Sequence, residues 1–357
     1  MPLPISQAIE SYRSFASNAN EALFTRLRER ISGSSLVEHL ATEISLPGKL
    51  LRPSLTLASF LVFSGGRPPN RECLAAAHAL EIFHSFVLIH DDVIDGSEQR
   101  RNRPTLQRRI EKKLGVPRET GGHLAIVLGD ILFGYAIDLL SDQEMNPDLI
   151  GALQRHLAEV TEDTGLGEAR ELTFLHLPLG EVSREQIEQV YYFKTTRYTI
   201  EAPLWLGARA AGIPPEKLGD LANFARPIGL GFQLENDLHE AALPFERFKN
   251  LAYDFQTGVK TLFLRQLYED LDAERKQGLV SALADCRTHP AALKLLHDLV
   301  HSTDTLARMK EKVDDCFSEA RNWIPASRYS DEQKAGLQWI ADHISSHRKH
   351  SEAAPQA

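Results

Sequence analysis

Apolar residues recur at three- and four-residue spacing along most of this chain, which is the period of an α-helix with one buried face. No pair of alternating apolar and polar runs is joined by Asn-Gly or Asp-Gly, the strongest sequence signal for a β-hairpin. The pattern therefore predicts an all-α fold. The segments with the helical period are 73–89, 123–140, 149–163, 184–198, 218–239, 260–271, 277–285, 290–301, 304–323 and 331–346.

The segments that interrupt this period are short and contain glycine, proline and asparagine, as at 65–70 and 212–215. Connections of that length join neighbouring helices rather than separate domains. We therefore predict one all-helical domain over residues 1–345, followed by a polar tail at 346–357 that we expect to be disordered.

The composition narrows the class of protein only slightly. Of 357 residues, 43% are hydrophobic and 25% charged, and the formal net charge of −9 argues against a nucleic-acid partner. The three cysteines lie far apart and match neither a disulfide framework nor a zinc pattern, which favours a reducing, cytoplasmic location. We expect neither a signal peptide nor a membrane span, because no run approaches about 18 consecutive apolar residues.

Three aspartates, Asp91, Asp92 and Asp95, closely follow the apolar end of the segment 73–89. On a helix, Asp91 and Asp95 are four residues apart, so their carboxylates project from the same face. Mg²⁺ is commonly bound by one or two such carboxylates together with phosphate oxygens of a substrate. The spacing predicts a magnesium site, and the alternative is a solvated acidic helix end.

Three arginines, Arg100, Arg101 and Arg103, come soon after these aspartates. A guanidinium group can bind phosphate oxygens through two parallel hydrogen bonds. Carboxylates that bind Mg²⁺ and arginines that bind phosphate are both needed to hold a diphosphate. The two features together therefore predict a diphosphate site.

A second acidic segment, formed by Asn236, Asp237 and Glu240, repeats this arrangement within the helical segment 218–239 and just beyond it. Asn236 and Glu240 are again four residues apart, so their side chains share one helix face. If the two acidic helices face each other, their oxygen ligands would line both walls of one cavity.

Other polar residues could bind a phosphate, although each alone is equally typical of a surface or core position. Lys49 and Arg52 are three residues apart and could face one ligand. Lys194 and Thr195 lie in a mostly apolar segment, and His84 is seven residues before the first aspartate, on the same helix face.

Taken in order, these motifs resemble the trans-isoprenyl diphosphate synthases of the polyprenyl synthetase family. The resemblance implies a single-domain isoprenoid-synthase helical bundle around a deep central cavity, usually a homodimer. The matching elements are Gly48-Lys49-x-x-Arg52-Pro53, His84, Asp91-Asp92-x-x-Asp95, Arg100-Arg101-x-x-Pro104-Thr105, Gly129-Asp130, Lys194-Thr195, and Phe232-Gln233 before the second acidic segment.

The resemblance also implies a reaction, in which isopentenyl diphosphate condenses with an allylic diphosphate (dimethylallyl, geranyl or farnesyl) in the presence of several Mg²⁺ ions. The implied metal ligands are Asp91, Asp95, Asn236, Asp237 and Glu240. The implied catalytic residues are Asp91, Asp92, Asp95, Lys194 and Asp237. The implied substrate-binding residues are Lys49, Arg52, His84 and Arg101 for isopentenyl diphosphate, Arg100 and Lys194 for the allylic diphosphate, and Thr195, Gln233 and Lys260.

The sequence departs from the family pattern mainly in its second half. Asn236 stands where the family usually has an aspartate, which removes one negative charge from the second acidic segment. Val259 stands where the family usually has a lysine, so Lys260 can replace it only if its side chain reaches inward. Glu168 stands where a glutamine is common, and Asn102 where a glycine is usual.

The length of the product is implied by the residues one helical turn before Asp91. In this family, bulky side chains at that depth form a floor that stops elongation. Phe86 is bulky and Val87 is not, a pairing that resembles synthases with a C20 product. We therefore expect geranylgeranyl diphosphate, with the C15 product next.

Three other functions remain open at this stage. A terpene cyclase, or a prenyltransferase with another acceptor, would explain the altered second acidic segment, but a cyclase would not need cations for isopentenyl diphosphate. A catalytically silent partner subunit would be expected to lose the first acidic segment, which is complete here. A helical binding protein with a surface acidic motif is the third alternative.

Overall fold

The computed structural model describes residues 4–30, 35–44, 50–100, 103–142, 144–251, 253–286 and 288–353. Four residues named above, Gly48, Lys49, Arg101 and Asn102, and the end of the tail at 354–357 lie outside the described residues. The chain divides into two compact units: unit 1 comprises Met1–Ala158 and Pro203–Leu218, and unit 2 comprises Glu159–Ala202 and Gly219–Ala357. The prediction of one domain over 1–345 stays a prediction.

The described residues are almost entirely helical, as the hydrophobic pattern predicts. The α-helices are α1 (Ile5–Arg30), α2 (Ser35–Ile44), α3 (Leu51–Ser64), α4 (Arg71–Ile94), α5 (Leu106–Leu114), α6 (Arg118–Leu139), α7 (Pro147–Phe174), α8 (Arg184–Tyr191), α9 (Ala202–Ala210), α10 (Leu221–Ala241), α11 (Phe245–Leu251), α12 (Tyr253–Thr257), α13 (Leu262–Asp270), α14 (Ala273–Asp285), α15 (Pro290–His301), α16 (Thr305–Ala326) and α17 (Asp331–Ala353). The other elements are a π-helix at Tyr192–Glu201, short 3₁₀ helices at Leu179–Glu181 and Pro215–Lys217, and the antiparallel two-residue strands β1 (Gln99–Arg100) and β2 (Arg103–Pro104).

Helix α4 forms the centre of unit 1 and packs against α6, α3 and α1. It begins at Asn70, whose side chain accepts a hydrogen bond from the backbone N–H of Cys73 at 2.9 Å, a standard N-cap. Its first turns are rich in alanine, which favours helix formation and lets neighbouring helices approach closely. Leu80 and Phe83 on the same helix are fully buried and contribute to the core of the unit.

Helices α4 and α6 are long and apolar enough to cross a membrane by length and composition alone. A core helix passes the same test, and 56% of the apolar stretch of α4 is buried inside the protein. The packing of α4 against α6 within unit 1 gives both helices an apolar partner without a membrane. Core packing therefore explains the apolar character of α4, whereas only 39% of the apolar stretch of α6 is buried.

In unit 2, helix α10 packs against α16 and against the π-helix. Gly231 allows the close approach of α16, because a Cβ atom at this position would lie 3.1 Å from the side chains of Cys316 and Phe317. Helix α8 begins with a capping box, in which Ser183 and Gln186 each accept a hydrogen bond from the other's backbone N–H. The π-helix continues directly from the end of α8.

The prediction for 290–301 agrees with α15 in both bounds, whereas the predicted helix 184–198 differs from the structure. There the α-helix ends at Tyr191, and a π-helix follows. A π-helix has a wider turn than the 3.6-residue period, so the apolar pattern alone does not distinguish the two. Helix α1 was not predicted, because its apolar residues are isolated among charged ones.

A buried polar network holds α1 against α4 and α6. The hydroxyl of Tyr12 lies 3.4 Å from Nδ1 of His78, and Nε2 of His78 lies 2.9 Å from Oδ1 of Asn20. Tyr135 on α6 donates to the same Asn20 oxygen at 3.3 Å. Because Oδ1 of Asn20 can only accept, His78 donates through Nε2. Burial lowers the pKa of His78 from 6.5 to about 3.

We predict that His78 makes the protein less stable in mild acid. The unfolded chain takes up a proton at this histidine below pH 6.5, whereas the folded protein does so only near pH 3. The contribution of neutral His78 to the free energy of unfolding is therefore fully present above pH 7. It falls by about 1.4 kcal/mol per pH unit below pH 6.5. In urea unfolding, His78→Gln should reduce the loss of stability between pH 7.5 and 5 by about 2 kcal/mol.

The exposed residue His123 provides the control. His123→Gln should not reproduce the effect of His78→Gln, because the buried network described above is formed by Tyr12, Asn20, His78 and Tyr135. Equal pH dependence in His78→Gln and the wild type would contradict the assignment of this effect to His78.

Candidate active site

The first acidic segment forms the C-terminal end of α4. Asp91 and Asp92 lie in the last turn, and Asp95 follows the helix, with its backbone N–H bonded to the carbonyl of Asp91 at 2.9 Å. The helix stops here because Gly96 adopts a left-handed conformation with φ of 66°. Asp91 is half-buried, Asp92 is 5% exposed and Asp95 is exposed, so the three carboxylates differ in their access to solvent.

Arg100 binds two of these carboxylates at once. Its Nη2 donates to Oδ2 of Asp91 and its Nε donates to Oδ1 of Asp92, both at 2.8 Å. Burial raises the pKa of Asp92 to about 6, although the adjacent Arg100 opposes this effect. Arg100 ends β1, which pairs antiparallel with β2. In this structure Arg100 therefore offsets part of the negative charge of the acidic segment, and its binding of a diphosphate stays a prediction.

Gln107, on α5, supports the loop between the acidic segment and the hairpin. Its side-chain amide donates to the backbone carbonyls of Asp92 at 2.8 Å and Ser97 at 3.0 Å, and the side chain is fully buried. The hydroxyl of Thr105 donates to the same Ser97 carbonyl at 2.9 Å. Gln107 was not identified from the sequence, since a glutamine in a basic, amphipathic helix gives no signal of this contact.

Two of the four residues predicted for isopentenyl diphosphate are described by the structure. Arg52 is buried in the first turn of α3, two residues after the N-cap Leu50, which has a left-handed φ of 49°. His84 is half-buried on α4, two turns before Asp91. The other two, Lys49 and Arg101, lie outside the described residues. The binding role of this set stays a prediction.

The residues predicted to set the product length lie on α4 within unit 1. Phe86 is half-buried, and its ring centroid is 5.2 Å from that of Phe133 on α6 and 4.5 Å from that of His90. Val87 is also half-buried. Phe86 is thus supported by an aromatic neighbour on a second helix, as a wall residue requires.

In unit 2, Lys194 lies on the π-helix between two carboxylates of α7. Its Nζ is 2.6 Å from Oε2 of Glu168 and is also bonded to Glu171. Burial raises the pKa of Glu171, and Lys194 opposes this effect. The sequence identified Lys194 and the unusual Glu168, but it gave no signal for Glu171. One ammonium group with two carboxylates leaves a net charge of −1.

The position of Lys194 depends on Gly167. A Cβ atom at residue 167 would lie 2.5 Å from the backbone nitrogen of Lys194, so α7 and the π-helix are in direct backbone contact here. The same helix places Glu168 next to this contact. The close crossing therefore holds the carboxylate and the ammonium group within bonding distance.

The second acidic segment differs from the first in how it is buried. Asp237 is 3% exposed; its Oδ2 accepts from the hydroxyl of Tyr191 and its Oδ1 accepts from Nε2 of Gln233 at 3.2 Å. Burial raises the pKa of Asp237 well above its usual value. Asn236 is exposed, and Glu240 is half-buried. Both oxygens of Asp237 thus have protein partners, and its role as a metal ligand stays a prediction.

Residues 254–261 also contact neighbouring backbone. The backbone N–H of Asp254 donates to Oε2 of Glu240 at 3.0 Å. Nζ of Lys260 donates to the carbonyl of Gly258 at 2.7 Å and to that of Leu175, after the end of α7, at 3.4 Å. Burial lowers the pKa of Lys260. Lys260 thus donates to two backbone carbonyls in this structure, and its role in substrate binding stays a prediction. Thr195, which follows Lys194, is half-buried, and its role also stays a prediction.

The oxygen donors present suit Mg²⁺ that arrives with a diphosphate. Among the described residues, no group of three or more His, Cys, Asp or Glu could hold a metal ion by itself. Mg²⁺ usually binds through one or two carboxylates, with waters and substrate phosphates as its other ligands. Asp91 and Asp95 at the end of α4 provide two such carboxylates. The donor set therefore fits the metal without a cage made only of protein.

The comparisons with known proteins agree with the class that the motifs indicate. The polyprenyl synthetase family model matches residues 34–300. The chain is 30% identical, over 78% of its length and 80% of the relative's, to the short chain isoprenyl diphosphate synthase of Methanothermobacter thermautotrophicus. It is also 30% identical to the geranylgeranyl diphosphate synthase of Methanosarcina mazei, over 62% of this chain and 64% of the relative.

The fold is similar to that of a geranylgeranyl pyrophosphate synthase from Corynebacterium glutamicum, whose crystal structure contains isoprenyl diphosphate and magnesium. The TM-score is 0.84 and the sequence identity 23%, with 96% of this chain and 99% of the other covered. The chain therefore belongs to the polyprenyl synthetase family of prenyltransferases. The sequence resemblance and the predicted all-α fold are both confirmed.

We predict that Gly167→Ala destabilises the protein, because the added methyl group would meet the backbone of Lys194. Overpacking of this kind costs about 1–3 kcal/mol. Gly165→Ala, on the same helix, is the matched control, since nothing lies within 4 Å of its Cβ position. It should raise stability by about 0.5–1 kcal/mol through helix propensity. Urea unfolding would measure both, and equal effects of the two substitutions would contradict the close crossing.

Proposed function

We propose that this protein is a short-chain trans-prenyltransferase that condenses isopentenyl diphosphate with a dimethylallyl, geranyl or farnesyl diphosphate. The observation that carries the proposal is the pair of hydrogen bonds from Arg100 to Asp91 and Asp92 at the end of α4, in a chain of the polyprenyl synthetase family. Carboxylates and a guanidinium held together in this way provide both charges that a magnesium diphosphate requires.

The proposed ligands for several Mg²⁺ ions share oxygen donor atoms: Asp91, Asp95, Asn236, Asp237 and Glu240. Bound Mg²⁺ would supply positive charge that stabilises the departing diphosphate. Arg100 and Lys194 are proposed to hold the allylic diphosphate, with Thr195, Gln233 and Lys260 as further polar groups of unit 2. Asp92 is proposed to orient Arg100, to which it is already bonded.

Two anionic substrates repel each other, so a second set of cations is needed for isopentenyl diphosphate. Lys49, Arg52, His84 and Arg101 are proposed for this role. In the reaction, the C–O bond of the allylic diphosphate breaks and its electron pair leaves with the diphosphate. The π electrons of isopentenyl diphosphate then form the new C–C bond, and the departed diphosphate takes up the proton whose loss from the adduct restores the double bond.

We propose a C20 product, with C15 next, and Phe86 as the residue that limits its length. Support comes from the aromatic contact of Phe86 with Phe133, which gives the side chain a firm backing on α6. Val87 is proposed to leave room beside it. The protein is further proposed to act as a cytoplasmic homodimer that binds no nucleic acid.

A terpene cyclase, or a prenyltransferase with another acceptor, is the alternative favoured by one observation. Asn236 lacks a negative charge, and both oxygens of Asp237 accept hydrogen bonds within the protein. The second acidic segment therefore has less negative charge than the first with which to bind a metal ion. The retained Arg52 and His84 argue for the synthase, because a cyclase uses one diphosphate substrate.

Incubation of the purified protein with Mg²⁺, isopentenyl diphosphate and each allylic diphosphate would test the proposal. A longer prenyl diphosphate is the expected product, and chelation of the metal should abolish its formation. A hydrocarbon or alcohol would instead identify a cyclase, and the absence of any turnover would overturn the enzymatic proposal.

We predict that Phe86→Ala lengthens the product beyond that of the wild type, because it removes a bulky side chain one turn before Asp91. Chromatography of the dephosphorylated products would measure the change. Leu88→Ala is the control, since two residues along a helix turn the side chain to a different face. An unchanged product in Phe86→Ala would refute this role.

A further inference from the structure

The hydroxyl of Tyr191 joins three segments of unit 2. Tyr191 is the last residue of α8, and its side chain is buried. The hydroxyl donates its proton to Oδ2 of Asp237 and accepts a hydrogen bond from the backbone N–H of Leu262 at 2.9 Å. A phenol has one donor and can accept as well, so both functions are used and the orientation of the hydroxyl is fixed.

Each of the three segments contains groups assigned above to the diphosphate or the metal. Asp237 belongs to the second acidic segment, and Leu262 follows Lys260 and Thr261 directly. Lys194 lies three residues after Tyr191, in the first turn of the π-helix. The hydroxyl of Tyr191 therefore links the start of the π-helix, which contains Lys194, to Asp237 and to the segment 260–262.

An apolar side chain in place of Tyr191 could fill the same space, but it could not form the hydrogen bonds to Asp237 and Leu262. Asp237 is buried, and a buried carboxylate that loses a hydrogen bond retains its full desolvation cost. Among the residues that the structure describes, the only other hydrogen bond to this carboxylate comes from Gln233, at 3.2 Å. The N–H of Leu262 lies at the start of α13, where backbone donors have no partner within the helix.

We propose that Tyr191 is a positioning residue that holds Asp237 and the segment 260–262 in fixed relation to Lys194. This inference rests on the proposed function, because it assigns the three segments to one diphosphate. Tyr191 touches neither substrate nor metal in this role and acts through the groups that it orients. Its loss should therefore weaken binding of the allylic diphosphate without affecting isopentenyl diphosphate.

Tyr191→Phe tests the proposal, and Tyr192→Phe is the matched control. Tyr192 is the next residue, and its hydroxyl bonds to Glu201 at 3.1 Å and to Arg226 at 3.2 Å, on contacts unrelated to Asp237. Each variant loses one hydroxyl from the same stretch of chain. Both should be measured for KM of each substrate, for binding of Mg²⁺ and pyrophosphate by calorimetry, and for amide exchange at Leu262.

Tyr191→Phe should raise KM for the allylic diphosphate and weaken pyrophosphate binding about tenfold, the effect of one buried hydrogen bond to a charged group. KM for isopentenyl diphosphate should change less than about twofold, and Leu262 should lose exchange protection. Tyr192→Phe should match the wild type in both KM values, in pyrophosphate binding and in amide exchange at Leu262. Equal changes in both KM values, or equal behaviour of the two variants, would overturn the proposal.

A measurement on the wild type keeps the test independent of the folding of the variant. Addition of Mg²⁺ and pyrophosphate should slow amide exchange together in three segments, 191–199, 234–241 and 258–266. Protection of only one segment would overturn the coupling through Tyr191. A wild type that neither binds pyrophosphate nor elongates a substrate would instead overturn the proposed function, and this inference with it.

Discussion

A buried carboxylate has to be matched by a cation or by hydrogen-bond donors, and this constraint determines the arrangement of the polar residues in both units. In unit 1, Arg100 donates to Asp91 and Asp92 at the end of α4. In unit 2, Lys194 lies between Glu168 and Glu171. The loop held by Gln107 and the crossing at Gly167 keep these partners within bonding distance.

The same pairing suits the proposed reaction. Without substrate, each cation offsets part of the negative charge of the two carboxylates beside it. A magnesium diphosphate carries both signs of charge, and it could therefore exchange partners with such a pair: the phosphates bind Arg100 or Lys194, and the metal binds the carboxylates.

Local patterns made much of the fold predictable, whereas contacts distant in sequence did not. The helix α15 and the spacing of Asp91 and Asp95 follow from three- and four-residue periods, which the sequence displays directly. The pairing of Lys194 with Glu171 spans 23 residues and that of Tyr191 with Asp237 spans 46, so neither leaves a periodic signal. For the same reason the sequence showed only that the second acidic segment repeats the spacing of the first with one charge fewer, and it gave no sign that the partners of the two segments differ.

The difference between the partners of Asp92 and those of Asp237 offers a physical reason for the asparagine at position 236. Asp92 is matched by the charge of Arg100, but the hydrogen bonds described for Asp237 come from two neutral groups, the hydroxyl of Tyr191 and the amide of Gln233. The pKa of Asp237 is raised by burial first, and then by the negative charges of Asp254 and Glu240. A further aspartate at position 236 would add another negative charge to this group and raise the cost of ionising Asp237 again. Asparagine retains an oxygen ligand without that cost, so the departure from the family pattern is consistent with a second acidic segment whose central carboxylate is held by neutral donors.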